Sequence, residues 1–251
     1  MKNLVLIGSG NLATNLGLSL VSKGYTVLQV WSKQLKNAKK LAKKLNCDYT
    51  DSLNNLHDAD LYILSVKDDS INSVLSKISL DSVVHTSGSV DINIFNDKFD
   101  NYGVLYPLQT FNKNILSDFS EIPICIESNN KKYEKKLFNL ANSLSKNTIK
   151  ISSEQRKIIH IAAVFASNFT NHMFTIADSL LADKKIDFKL LMPLINQTIA
   201  KLNTNLAKDV QTGPAKRKDN KIIKDHLKNI SNNSNKELYR LITNSIIESN
   251  E

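Results

Sequence analysis

The first half of the chain alternates short, continuous apolar runs with longer segments of helical periodicity. Short apolar runs of this kind are typical of strands buried on both faces of a parallel sheet, and the helical segments between them are typical of crossover connections. The alternation therefore predicts an α/β fold, in which helices cover both faces of a twisted, mostly parallel sheet.

The strands predicted in this half are Leu4–Ile7, Val27–Trp31, Leu61–Val66, Ser82–His85, Gly103–Leu105, Ile122–Ile126 and Thr148–Ile151. The helices predicted between them are Leu12–Lys23, Leu35–Leu45 and Lys131–Ser145. After Ile151 the strand signals stop, and the remaining chain has helical periodicity. The helices predicted there are Ile158–Ala177, Phe188–Val210, Lys218–Ile230 and Lys236–Glu248. The sequence thus predicts an α/β domain at 1–152 and an all-α domain at 153–251.

The segment Ile158–Ala177 carries no formally charged residue. Polar residues such as His160, Asn168 and Thr175 interrupt it too often for a membrane span. A helix that is apolar nearly all round is usually buried. We therefore expect this helix at the centre of the helical domain or at the interface of a homodimer.

The net charge of +9 comes from lysine, because Arg and Lys together number 33 and only Arg156, Arg217 and Arg240 are arginines. The lysines are spread along the whole chain, and arginine is the residue that bidentate phosphate or base recognition favours. The composition therefore favours a solvated lysine-rich surface over a nucleic-acid-binding face. No apolar run approaches the roughly 20 residues that span a bilayer, so no membrane association is expected.

The two cysteines, Cys47 and Cys125, lie far apart and have neither metal-site nor disulfide spacing. This usage suits a reducing compartment, and the N-terminus has no pattern of a secretory signal. We expect a cytoplasmic protein without a metal site.

A glycine-rich turn joins the first predicted strand to the first predicted helix, with the residues Gly8, Ser9, Gly10, Asn11 and Leu12. Gly8 permits the tight turn, Gly10 lets the backbone approach a diphosphate, and the helix N-terminus offers free N–H groups. The position of the turn, after a strand and before a helix, predicts a dinucleotide cofactor.

At the end of the second predicted strand, a carboxylate would accept the ribose hydroxyls of NAD. Ser32 and Lys33 occupy that place instead, and a hydroxyl with an ammonium group suits the 2′-phosphate of NADP. NADP is therefore predicted as the cofactor. The alternative is that a lysine stands at position 33 only because lysine is abundant throughout the chain.

Two further strand ends are predicted to face the same crevice, because ligands of such sheets bind beyond the carboxyl ends of the strands. The first carries Ser65, Val66 and Lys67, which we expect to line the ribose and nicotinamide. The second carries Thr86, Ser87 and Gly88, whose small size lets the nicotinamide ring approach. Either segment is also consistent with a capped loop.

The predicted catalytic residues are His85, Asn168, His172 and Arg217. His85 ends a central strand, where its imidazole either donates to a substrate oxygen or supports the turn that follows. Asn168 and His172 share one stripe of a helix, which predicts either a ligand site or a hydrogen-bond network between helices. Arg217 is a candidate clamp for a substrate carboxylate, or a surface residue.

Two other polar residues, Tyr106 and His160, each allow more than one role. Tyr106, in the segment Tyr106–Phe111, either supplies its hydroxyl to the cleft or fixes a corner of the chain. His160 lies off the polar stripe and is interpreted as a core or boundary histidine.

With the motifs Gly8–Asn11, Val84–Ser89, Tyr106–Phe111, His160–His172 and Gln211–Asp219, the chain resembles a group of bacterial two-domain NADP oxidoreductases. In that group a Rossmann dinucleotide-binding domain precedes an all-α domain known as domain of unknown function 2520. The group is distantly similar to pyrroline-5-carboxylate reductase, prephenate dehydrogenase and ketopantoate reductase. The resemblance covers nearly the whole chain and implies hydride chemistry, but it implies neither a substrate nor a catalytic residue.

Two functions are consistent with these observations. The first is an NADPH-dependent oxidoreductase that reduces a small keto or imino acid bound between the two domains. The second is a non-catalytic NADP(H)-binding sensor or partner-binding protein, suggested by the lack of an unambiguous catalytic acid.

Overall fold

One eight-stranded sheet organises the first part of the computed structural model, which describes residues 1–96 and 98–250. Its strands are β1 (Asn3–Ile7), β2 (Thr26–Trp31), β3 (Asp48–Thr50), β4 (Leu61–Leu64), β5 (Ser82–His85), β6 (Asn101–Pro107), β7 (Ile124–Ser128) and β8 (Thr148–Lys150). Their spatial order is β3-β2-β1-β4-β5-β6-β7-β8. All neighbours are parallel except β6 and β7, which confirms the predicted mostly parallel sheet.

Helices cover both faces of the sheet, as predicted. They are α1 (Asn11–Ser22), α2 (Leu35–Leu45), α3 (Asp68–Leu75) and α4 (Lys131–Leu144), followed by α5 (Ser153–Ala163). Side chains alternate along each strand, so Leu4 and Leu6 pack with α1, α2 and α4, whereas Val5 and Ile7 pack with α3. This arrangement places the carboxyl ends of β1, β4, β5 and β6 at one edge of the sheet.

Two elements of this part were not predicted. Strand β3 is a short edge strand in which only Thr50 is buried, so the sequence has no apolar run there. Helix α3 begins with Asp68 and Asp69 and buries only Ile71, Val74 and Leu75. Its short, mostly polar sequence gave too little periodicity to predict a helix.

The chain divides into two compact units, Met1–Ser167 and Asn168–Glu251. The boundary predicted after residue 152 precedes α5, whose first residue, Ser153, hydrogen-bonds through its backbone and hydroxyl to Glu127 of β7. These contacts attach the start of α5 to the first unit. The predicted functions of the two domains remain predictions.

The second unit is helical. A π-helical segment (Val164–Phe169) follows α5 and leads into α6 (Thr170–Ala182), α7 (Met192–Lys201), α8 (Asn220–Asn229) and α9 (Asn233–Glu248). The helix predicted over Phe188–Val210 is wrong beyond Lys201, where turns follow. Asn205 donates its side-chain amide to the carbonyl of Lys201, a local bond that competes with helix continuation.

The expectation that Ile158–Ala177 is buried at the centre of the helical domain is wrong for this chain alone. Ile158 and Phe165 are 63% and 65% exposed, and α6 has no buried residue. The π-helical segment also interrupts the assumed helical period. The alternative, an interface between two copies, remains. Across the described ranges 1–96 and 98–250, no helix has both the length and the apolar character to cross a membrane.

Candidate functional site

The turn after β1 has the geometry that a diphosphate-binding loop requires. Gly8 has φ +130°, and a Cβ atom there would lie 2.2 Å from the carbonyl oxygen of Ser65. Its N–H donates to the carbonyl of Trp31 at 2.8 Å. Gly8 thus allows the ends of β1, β2 and β4 to meet closely, as its place in the motif predicted.

Gly10 has a different role from Gly8. It is the N-cap of α1 in extended conformation, and a Cβ atom there would have no neighbour within 4 Å. The first N–H groups of a helix have no acceptor within the helix, so those of α1 are available to an anion. The space beside Gly10 is therefore open for a ligand rather than filled by the protein.

A cavity of about 740 Å³ lies in front of this turn. Its lining includes eight of the predicted cofactor residues, namely Gly8, Ser9, Gly10, Ser32, Lys33, Ser65, Val66 and Lys67. The lining residues that the sequence analysis missed are Trp31, Gln34, Asn37, Asp51, Ser70, Ser73, Val74 and Lys77. Half of these missed residues belong to α3 (Ser70, Ser73 and Val74) or follow the unpredicted β3 (Asp51).

The β2 side of the cavity is polar, and lysines lie on it and on a smaller cavity beside it. Ser9 donates its hydroxyl to the hydroxyl of Ser32 at 2.9 Å, which joins the glycine turn to the end of β2. Lys33 is exposed on the cavity wall, and a smaller neighbouring cavity is lined by Lys40, Lys44 and Lys113. Asp51 contributes the one carboxylate of the larger cavity's described lining. This charge distribution suits an anionic group beside β2.

Five of the predicted cofactor residues do not line this cavity. Asn11 accepts the N–H of Lys113 with its side chain, and Leu12 lies in the first turn of α1. Thr86 donates its hydroxyl to the carbonyl of Leu64, and the Ser87 hydroxyl accepts the N–H groups of Ser89 and Val90. Gly88 contacts side chains described below. The side chains of Thr86 and Ser87 therefore support the turn after β5, and their contact with a cofactor remains a prediction.

His85 lies at the end of β5 and is fully buried. Its Nδ1 accepts the N–H of Ser87 at 3.2 Å, and its ring stacks on Phe95. Burial, with a smaller contribution from the Arg156 guanidinium, lowers the pKa of His85 from 6.5 to about 3. The geometry favours the second of the two predicted roles, in which a neutral imidazole supports the turn after β5.

The buried His85 predicts a pH-dependent stability. The unfolded chain binds a proton at this residue below about pH 6.5 and the folded chain does not, so the unfolding free energy falls as the pH falls from 6.5 toward 3. Between pH 7.5 and pH 5 this loss is about 2 kcal/mol. His85→Asn keeps an acceptor for the Ser87 N–H and removes the titrating group. Urea unfolding at both pH values should give a loss about 2 kcal/mol smaller for H85N, and equal losses in the two proteins would contradict the assignment.

Tyr106 and His160 form a polar pair at the carboxyl end of β6. The Tyr106 hydroxyl lies 3.0 Å from Nδ1 of His160, and the two rings meet edge to face. Both side chains pack against Gly88, where a Cβ atom would lie 2.6 Å from His160 Nδ1 and 2.9 Å from Tyr106 Cζ. His160 is half-buried, in agreement with the predicted boundary histidine, but its bond to Tyr106 was not predicted.

Arg156 is the arginine that sequence reasoning missed. It is fully buried and forms an ion pair with Glu127 of β7. Its guanidinium also donates to the carbonyl of Val90 and to the Ser153 hydroxyl. The network connects α5, β7 and the turn after β5, and it lies one helical turn before His160.

The other predicted catalytic residues lie in the second unit. Asn168 is in the π-helical segment, His172 is in α6, and Arg217 lies in the turn region before α8. All three side chains are exposed. Their catalytic roles remain predictions.

No group of three or more His, Cys, Asp or Glu side chains within residues 1–96 and 98–250 is arranged to hold a metal ion. Burial raises the pKa of the thiol in both Cys47 and Cys125.

Comparison with known proteins identifies the family. Residues 3–93 match the family described as NADP oxidoreductase coenzyme F420-dependent, and residues 122–246 match domain of unknown function DUF2520. The crystal structure of the putative NADP oxidoreductase BF3122 from Bacteroides fragilis is 40% identical, with a TM-score of 0.94 and 98% of each chain covered. The chain belongs to the same NADP oxidoreductase family as this Bacteroides fragilis protein. A search of curated proteins finds no match.

More distant structures share the fold of this NADP oxidoreductase. Protein TM1727 from Thermotoga maritima is 21% identical, with a TM-score of 0.71 and 98% of each chain covered. The 1-pyrroline-5-carboxylate reductase from Streptococcus pyogenes is 16% identical, with a TM-score of 0.65, covering 99% of this chain and 96% of its own. Together with the family match, these likenesses confirm the resemblance and the fold class inferred from the sequence.

Proposed function

We propose that the chain is an NADPH-dependent reductase of a small keto or imino acid, bound between the nucleotide domain and the helical domain. The observation that carries the proposal is the open space at Gly10, where the free N–H groups of α1 face a cavity lined by lysines. NADPH would supply the hydride when it is bound. The chain's own residues would hold its diphosphate at Gly8–Gly10 and its 2′-phosphate at Ser32 and Lys33.

The substrate class is supported by relatives that share the fold. The Streptococcus pyogenes protein is named for a cyclic imino acid, and a reductive aminase from Aspergillus terreus is described in complex with NADPH. We propose that the substrate is a small acid, because the guanidinium of Arg217 is suited to bind a carboxylate. We also propose that Asn168 and His172 contact the substrate. Tight NADPH binding without turnover of any keto or imino acid would instead favour the non-catalytic sensor.

The cofactor proposal is tested by comparing NADPH with NADH. Calorimetry should show NADPH binding about 100-fold more tightly than NADH, because the 2′-phosphate gains charge-assisted hydrogen bonds. Lys33→Ala should weaken NADPH binding about 10-fold and leave NADH binding unchanged within about 2-fold. Lys36→Ala is the matched control, since Lys36 is an exposed lysine of α2 outside the cavity lining. Equal affinities for the two cofactors in the wild type would contradict the assignment.

We also propose that the chain is a homodimer. Helices α6 and α7 have no buried residue, and Leu190 and Leu194 are 71% and 64% exposed. Helices this short depend on burial of an apolar face for their stability, and a second copy of the same face is the commonest cover in soluble oligomers. Sedimentation at micromolar concentration should give twice the 28.2 kDa chain mass. A monomer at that concentration would contradict the dimer and leave the cofactor proposal intact.

A further inference from the structure

The pair Tyr106 and His160 lies at the carboxyl edge of the parallel strands. Strands β1, β4, β5 and β6 are parallel neighbours, so Tyr106 at the end of β6 lies at the same sheet edge as the glycine turn after β1. Gly88, which both rings contact, follows β5 at that edge. The nicotinamide end of a dinucleotide is expected beyond these central strands. The pair is therefore expected on the nicotinamide side of a bound dinucleotide, away from the lysines beside β2.

The packing fixes both rings in place. Both rings pack closely against Gly88, where a Cβ atom would lie 2.6 Å from His160 Nδ1, and Tyr106 is only 8% exposed. Arg156, one helical turn before His160, holds α5 to Glu127 and to the Val90 carbonyl. A proton donor that is already held in place loses little conformational entropy when the substrate binds.

The two groups have complementary proton chemistry. Burial raises the pKa of Tyr106 to about 12, so the hydroxyl remains protonated at neutral pH and its anion is unfavourable. A tyrosine that gives up its proton therefore needs a source that replaces it at once. His160 lies at hydrogen-bond distance and is half-buried, which leaves its ring within reach of solvent protons.

We infer that the Tyr106 hydroxyl is the catalytic proton donor and that His160 replaces the proton it gives up. The inference rests on the proposed reductase function. As the substrate carbon accepts a hydride from a reduced nicotinamide, the electron pair of its C=N or C=O bond moves to the nitrogen or oxygen. That atom takes the Tyr106 proton, and the tyrosine oxygen takes the Nδ1 proton of a protonated His160. His160 is left neutral and regains a proton from water.

The first experiment is a crystal structure of the protein with NADP⁺, supported by calorimetry. The nicotinamide C4 should lie within about 6 Å of the Tyr106 hydroxyl, which leaves room for the reacting carbon between them. A distance beyond about 9 Å would overturn the inference while leaving the cofactor proposal intact. An absence of NADP⁺ binding in calorimetry would overturn the cofactor proposal and this inference with it.

The second experiment measures turnover with 1-pyrroline-5-carboxylate as the probe. Tyr106→Phe should lower kcat at least 100-fold and leave the NADPH dissociation constant unchanged within about 2-fold. Tyr62→Phe is the matched control, because its hydroxyl bonds to the backbone of His57 and Ala59 before β4, away from the cleft. A Y106F kcat within about 3-fold of wild type would overturn the inference. If the wild type does not turn this probe over, the distance in the crystal structure decides.

A third variant tests whether His160 supplies a proton or only positions the Tyr106 hydroxyl. His160→Asn keeps a hydrogen-bonding group near the place of Nδ1 but cannot be protonated. We expect kcat to fall at least 10-fold with KM nearly unchanged. Wild-type kcat in H160N would overturn the role of His160 as the proton source, because the hydrogen bond alone would then suffice.

Discussion

NADPH binding should be lost when Gly10 is replaced by leucine, while the protein remains folded. Gly10 has an extended backbone that any residue adopts, and the space around its missing Cβ is empty. The leucine side chain would fill the place of the diphosphate in front of α1. We expect the affinity to fall at least 100-fold in calorimetry and the urea-unfolding free energy to change by less than about 1 kcal/mol.

Ser22→Leu is the control for this experiment, because it adds the same side chain at the exposed far end of α1. It should leave NADPH affinity unchanged. Gly8 is unsuitable for the test, since a side chain there would collide with the Ser65 backbone and disturb the fold itself. Wild-type affinity in G10L would contradict the proposed diphosphate site.

Replacing Arg156 by methionine should destabilise the protein by about 3–5 kcal/mol. The guanidinium is fully buried, and its removal leaves the Glu127 carboxylate without its cation in a largely buried position. The carbonyl of Val90 loses its donor as well. Urea unfolding at pH 7 measures the loss directly.

The double variant R156M/E127M distinguishes the stability lost through an unpaired charge from the stability lost through poorer packing. Removing both partners should recover part of the stability that R156M loses, because no unpaired carboxylate remains. The recovery will be incomplete, since Glu127 also accepts the backbone N–H and the hydroxyl of Ser153. A double variant less stable than R156M would show that the ion pair is not the main contribution.

The sheet was predictable from the sequence wherever strands are buried on both faces. Val5 and Ile7 face one layer of helices and Leu4 and Leu6 face the other, so β1 reads as a continuous apolar run. Strand β3 lies at the sheet edge and buries only Thr50, so its sequence contains no continuous apolar run. Because this strand was not predicted, the cavity residue Asp51 that follows it was not predicted either.

The candidate site was predictable only where it is formed by residues that are neighbours in the sequence. The glycine turn and the Ser32–Lys33 pair are local motifs, and both line the cavity. Tyr106 and His160 are separated by 54 positions, and their contact depends on how α5 packs against β6. No local pattern distinguishes the buried His85 from the half-buried His160. Arg156 was missed for the same reason, because its partner Glu127 is on a different element.

The crowding around Gly88 also restricts how proteins of this kind can diverge. Any larger residue at that position would collide with the phenol of Tyr106 and the imidazole of His160. We therefore expect related proteins that keep Tyr106 and His160 to keep Gly88 as well.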